Sequence, residues 1–140
     1  MRILVAVDGS DIAARAARHA VALAKALQQP PELHVVYADP PLLPAAARAL
    51  GVDGTARYHA ENGRYATRRA SAMLKRAGLA CREHLLVGDP AETVLKVARA
   101  TKCDLIVMGS HGRSALRSAL LGSVASKVLA HCTTPLTIVR

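Results

Sequence analysis

The opening run Ile3-Leu4-Val5-Ala6-Val7, closed at once by Asp8-Gly9-Ser10, does most to limit what this chain can fold into. Consecutive apolar residues of β type leave no polar face, so the strand must be covered on both sides, as in a parallel sheet between two layers of helices. A helix follows directly. From Ile12, residues Ala13, Ala16, Ala17, Ala20, Leu23, Ala24 and Leu27 recur at helical spacing, with Ser10 or Asp11 as N-cap and Pro30-Pro31 barring continuation.

The alternation then repeats. Leu33 to Ala38 reads as a second strand, stopped by Asp39-Pro40-Pro41. Leu42 to Gly54, rich in Ala with two glycines, is expected to form a loop or short helix over the sheet edge, and Ala56 to Ala77 a longer helix ended by Gly78. Cys81 to Val87 is a third strand, less apolar, as suits a place towards an edge. Asp89-Pro90-Ala91-Glu92 combines an N-cap, a proline at the first helical position and an acid in the first turn, and opens a helix running to about Thr101. A strand at Asp104 to Met108, a glycine loop, a helix from Ser123 to His131 and a last strand from Leu136 to Val139 complete the order. Strands alternating with helices across short connections imply one doubly wound α/β domain spanning residues 1–140, a single five-stranded parallel sheet with helices on both faces. Ligands bind such sheets beyond the carboxyl ends of the strands, where neighbouring connections leave towards opposite faces.

Composition narrows the function. Phe and Trp are absent and only Tyr37, Tyr58 and Tyr65 supply rings, which argues against modules that stack bases on aromatics. The formal charge of +9 is spread over Arg15, Arg18, Arg48, Arg57, Arg64, Arg68, Arg69, Arg76, Arg99 and Arg117, with no arginine run longer than Arg68-Arg69. That distribution reads as a solvated surface, and no specific nucleic acid partner is expected. Cys81, Cys103 and Cys132 have no metal-ligand spacing and fill core volume as thiols; no metal ligands are assigned. The N-terminal apolar run is too brief for a signal peptide or membrane span, so a soluble cytoplasmic protein is expected.

The chemistry concentrates after the fourth strand. Gly109-Ser110-His111-Gly112 is followed after nine residues by Gly122-Ser123, which opens the next helix. Glycines there let the main chain approach a ligand, and a helix N-terminus offers unpaired N–H groups to an anion. The P-loop pattern Gly-x4-Gly-Lys-Ser/Thr is absent, and so is Gly-x-Gly-x-x-Gly after the first strand. The pattern Gly109, Gly112, Gly122 and Ser123, together with the strand ending in Asp8-Gly9-Ser10, the Gly88-Asp89-Pro90 turn and the closing strand, resembles the nucleotide-binding branch of the universal stress proteins.

The resemblance implies strand order 3-2-1-4-5, a Rossmann-like fold of the adenine nucleotide α-hydrolase type, ATP with Mg2+ at the switch point between strands one and four, and a homodimer. Physical roles can be set beside it. Asp8, with Gly9 and Ser10, stands where it would accept hydrogen bonds from the ribose. Val35-Val36-Tyr37 would flank adenine, with Val36 the assigned contact. Met108, Gly109 and Gly112 would carry the loop around the phosphates, and Gly122, Ser123 and Val124 would bring a helix N-terminus to the same anions. Arg113 would offset terminal phosphate charge, and His111 is a loop residue or phosphate donor rather than a general base. No catalytic residue is assigned. The expectation is an ATP-binding regulatory or stress-response module whose occupancy biases conformation or partner binding; the alternative is a slow ATPase or a phosphoryl or adenylyl transferase drawing on Asp8, Ser10 and Ser123. Pairing is expected through Leu136 to Val139, an apolar strand that would otherwise leave an open sheet edge.

Overall fold

A computed structural model describes residues 1–112 and 121–140. Strands β1 (Arg2–Ala6), β2 (Glu32–Asp39), β3 (Cys81–Val87), β4 (Leu105–Gly109) and β5 (Leu136–Val139) alternate with helices α1 (Asp11–Ala26), α2 (Pro44–Arg76), α3 (Pro90–Ala100) and α4 (Ser123–His131). The strands form one sheet in the order β3-β2-β1-β4-β5, and every adjacent pair is parallel. The doubly wound architecture and strand order expected from the sequence are those observed.

Side-chain alternation along the strands builds two cores. Ile3 and Val5 of β1, Leu33, Val35 and Tyr37 of β2 and Val107 of β4 pack on the alanine stripe Ala13, Ala16, Ala17 and Ala20 of α1 and on Ala66, Ala70 and Leu74 of α2. Leu4, Val36, Ile106 and Met108 point the other way, onto Val94, Leu95 and Ala98 of α3 and Ala125 and Val128 of α4. Cys103 is buried in the second core, and Cys81 and Cys132 border the first and second respectively; burial pushes the Cys81 and Cys103 thiols up, which keeps them protonated packing groups.

The helix caps follow from local sequence. Ser10 caps α1, its Oγ accepting from the Ala13 N–H at 3.1 Å, and Asp89 caps α3, accepting from the Glu92 N–H at 3.0 Å. Several boundaries differ from the sequence reading; β2 runs one residue further at each end, Asp39 included. The strands β1 and β4 are displaced by one residue, Val7 lying beyond β1 and Gly109 closing β4. The larger difference lies in 42–54, which is helical from Pro44 on. Pro44 occupies the first turn, where its missing N–H costs nothing. Gly51 interrupts the helix with φ 70° and ψ 179°, a conformation that favours glycine, so a short helix is joined through a kink to the long one expected from Ala56. Among the described residues no helix is long and apolar enough to cross a membrane.

Ile106 is fully buried at the centre of the α3/α4 layer. Ile106→Ala is expected to lower the unfolding free energy by about 2–5 kcal/mol, seen as a lower urea midpoint at unchanged slope; a loss under about 1 kcal/mol would remove this residue from the core it is assigned to.

Candidate functional site

Because α1 leaves β1 towards one face and α4 follows β4 on the other, a crevice opens at the carboxyl ends of these adjacent strands. A cavity of about 390 Å³ occupies it, within the range of small-molecule sites, roughly 300–1,000 Å³. Asp8 comes to it from the end of β1, Val36 from β2, and Met108, Gly109, His111 and Gly112 from β4 and its loop. Gly122, Ser123 and Val124 come from the start of α4.

Two sequence-assigned residues stand elsewhere. Gly9 and Ser10 do not line this cavity; they face the α1/α2 side, where the aromatic edge of Tyr65 packs on Gly9 and Ser10 caps α1. Arg113 lies outside the described residues. Val35 is buried in the α1/α2 core, so Val36 is the residue of that stretch that turns its side chain towards the α3/α4 layer.

The glycines are required by close approach. A Cβ on Gly112 would stand 2.6 Å from Asp8 Oδ2, and one on Gly109 would stand 2.7 Å from Ile12 Cγ2. The loop backbone is thus drawn against the Asp8 carboxylate, whose other oxygen accepts the Ser10 N–H at 3.0 Å. The loop is also tied at both ends: the Ser110 N–H donates to the Val139 carbonyl at 2.7 Å, and the Gly122 N–H to the Ser110 carbonyl at 2.7 Å. His111 Nδ1 lies 3.1 Å from the hydroxyl of buried Ser110. At α4 the N-cap is Gly122, which supplies no side chain to the first-turn N–H groups. The helix start therefore presents main-chain donors and the positive end of its dipole beside Ser123.

Sequence reasoning missed the wall formed at the end of β2. Tyr37, which the sequence reading sets beside the base, is continued by the unassigned Ala38, Asp39 and Pro40, and Pro90 and Val94 of α3 also line the cavity. Asp39 is 6% exposed, and its oxygens are held by the Tyr37 hydroxyl at 2.7 Å, by His59 Nδ1 at 2.7 Å and by the Asn62 amide at 2.9 Å. Burial pushes the Asp39 carboxyl up, but hydrogen bonds from Asn62, His59 and Tyr37 outweigh it and hold the group below its ordinary value. The one available signal was the pair His59 and Asn62, polar residues three apart and so on one face of a helix. Their partner, 20 and 23 residues upstream, carried no mark of its own. Among the described residues, no three His, Cys, Asp or Glu side chains converge as metal ligands.

The universal stress protein family model matches residues 1–140. A universal stress protein of Thermus aquaticus is 38% identical over 140 residues, covering 99% of this chain and 97% of that protein. Among solved structures, a universal stress protein in complex with cAMP is 30% identical with a TM-score of 0.68, covering 100% of this chain and 97% of the other. The Archaeoglobus fulgidus universal stress protein in complex with dAMP is 26% identical with a TM-score of 0.72, covering 100% of this chain and 98% of the other.

The network around Asp39 gives a pH test. A carboxyl held below its unfolded value contributes stability that is fully present above about pH 3.9 and is lost as pH falls through the depressed value. Asp39→Asn is expected to cost about 1–3 kcal/mol at pH 7, with the gap to the unaltered protein closing in acid. Urea unfolding at several pH values would show this, and a gap independent of pH would refute it.

Proposed function

The chain belongs to the universal stress protein family, and on that premise we propose that its cavity binds an adenine nucleotide, ATP with Mg2+, as a regulatory module whose occupancy biases conformation or partner binding. The observation that carries the reading is the combination of an apolar lining, Val36, Val94 and Met108, with a closely packed glycine loop and a helix N-terminus lacking a side-chain cap. Relatives solved with cAMP and dAMP support adenine as the base.

The residues present fit such a ligand. The apolar side chains suit the faces of a base, and the carboxylate of Asp8 suits ribose hydroxyls, which donate to it, better than phosphates, which would repel it. Main-chain N–H groups of the loop and of the α4 start suit phosphate oxygens, and the Ser123 hydroxyl adds a donor. A bound divalent ion would neutralise phosphate charge. Of the two lining carboxylates Asp39 is committed to Tyr37, His59 and Asn62 and Asp8 is assigned to the ribose, and no side chain is assigned to the ion.

Titration calorimetry of nucleotide-free protein should show ATP bound in preference to GTP. Gly112→Val, which sets a side chain into the Asp8 carboxylate, should weaken ATP at least about tenfold, roughly 1.4 kcal/mol, in a variant whose circular dichroism stays that of the folded protein. Undiminished affinity in a folded variant would overturn the assignment.

We propose in addition that two copies pair through β5. Among the described residues this strand pairs with β4 alone and its residues are half-buried, so its outer edge carries main-chain groups suited to a second strand. Light scattering should give twice the 14.7 kDa chain mass, and Ile138→Pro should shift it towards the single-chain value; a monomer at high concentration would reject the pairing.

A further inference from the structure

The fold gathers charge that is scattered in the sequence. Helices α1 and α2 cover the same face of the sheet, and together they carry ten Lys and Arg against three acids, Asp11, Asp53 and Glu61, or seven of the chain's nine net positive charges. All ten cations are exposed. Of the acids, Asp11 is paired with Arg69 at 2.7 Å.

Along α2, beyond the Gly51 kink, the exposed residues recur as adjacent pairs: Arg57-Tyr58, Arg64-Tyr65, Arg68-Arg69 and Lys75-Arg76. The spacings of seven, four and seven residues keep each member of a pair on its own row of the helix surface. One row is wholly cationic. The row beside it carries two tyrosines followed by two arginines, and Glu61 is the acid on this stretch of the face. The buried positions Gly63, Ala66, Thr67, Ala70 and Leu74 hold the opposite side against the sheet. At about 1.5 Å per residue the double row is roughly 28 Å long. Tyr58 is 41% and Tyr65 59% exposed, and the Arg68 guanidinium lies 5.9 Å from the Tyr65 ring centroid.

We propose that this face of α2 binds single-stranded nucleic acid without sequence preference, its cations meeting phosphates and Tyr58 and Tyr65 offering ring faces to bases. Cations interleaved with aromatic rings are the combination that single-strand binding uses, because every base has a π-face and every linkage a charge. An anionic membrane would call for aliphatic side chains among the cations, and from residue 57 to 76 the exposed apolar side chains are the two tyrosines and Ala72. This proposal departs from the sequence-based view of the arginines as a solvated surface and of the three tyrosines as arguing against base stacking. It stands apart from the cavity, which none of these α2 residues lines.

The test is fluorescence anisotropy with a labelled 20-nucleotide oligouridine, chosen without adenine so that it does not address the cavity. Parallel arms use the DNA counterpart, a duplex of equal length and phosphatidylglycerol vesicles. Single strands are expected to bind more tightly than duplex. Tyr58→Ala and Tyr65→Leu should each cost about tenfold, and Arg64→Gln with Arg68→Gln should reduce the slope of log affinity against log salt by about 1.4. Circular dichroism verifies the fold of each variant; Tyr58, which does not contact Gly9, carries the test if Tyr65→Leu is disturbed. Equal binding to duplex with neutral tyrosine variants would reduce the surface to bare electrostatics and overturn the proposal. Binding to vesicles alone, or no binding, would overturn it as well.

Discussion

The parting of two adjacent strands' connections is the constraint on which the rest of this structure depends. β1 and β4 pair in register from Ile3 opposite Leu105 to Ala6 opposite Met108, and each must be covered on both faces because neither has a polar side. Right-handed crossovers then send α1 one way and α4 the other. Nothing can fill the gap between the two departing chains without abandoning one of the cores, so the crevice is a by-product of burying Leu4, Val5, Ile106 and Val107. The site is held open by packing that it does not itself supply.

What lines the crevice reflects a second constraint, the shortage of room. The β4 loop must pass between Ile12 and the Asp8 carboxylate, and at Gly109 and Gly112 the space left is smaller than a methyl group. The same closeness that excludes side chains brings main-chain groups to the cavity surface. Asp8 serves both ends of this arrangement, fixing the Ser10 N–H that starts α1 and bordering the loop. A carboxylate already engaged with the backbone keeps its orientation, which is what a ribose-binding role would require.

Elements whose signals are local were legible in the sequence. The caps at Ser10 and Asp89, the Pro90 start of α3, the α4 range and β5 all rest on residues a few positions apart, and each stands as read. The arm of α2 was less legible, since Pro44 and Gly51 argue locally for a loop while helix resumes on both sides of one glycine. Three glycines at family spacing marked the β4-loop end of the cavity. Beyond Tyr37 the β2 end was unmarked because Asp39 reads as a strand terminator until His59 and Asn62 are brought over it by the fold. Gly9 and Ser10 were drawn into the site by their neighbour Asp8, although a turn at the strand end sends consecutive residues to opposite sides.

Charge shows the same limit in its strongest form. No window of the sequence contains a basic run, yet two helices laid on one face of the sheet concentrate most of the net charge there, and the pairing of Arg57 with Tyr58 and Arg64 with Tyr65 emerges only when residues seven apart are placed on one helix face. On the two proposed readings the cavity and this surface divide anion chemistry between them on different physical terms. At α4 a few main-chain donors act in a confined space, where geometry discriminates and salt intrudes little. On α2 exposed cations act in water, where each contact is weak, screened within about 10 Å at 0.1 M salt, and effective only through number and spacing. A small phosphate ester suits the first and a polymer of phosphates the second, so one basic chain can hold both without either ligand satisfying the other's site.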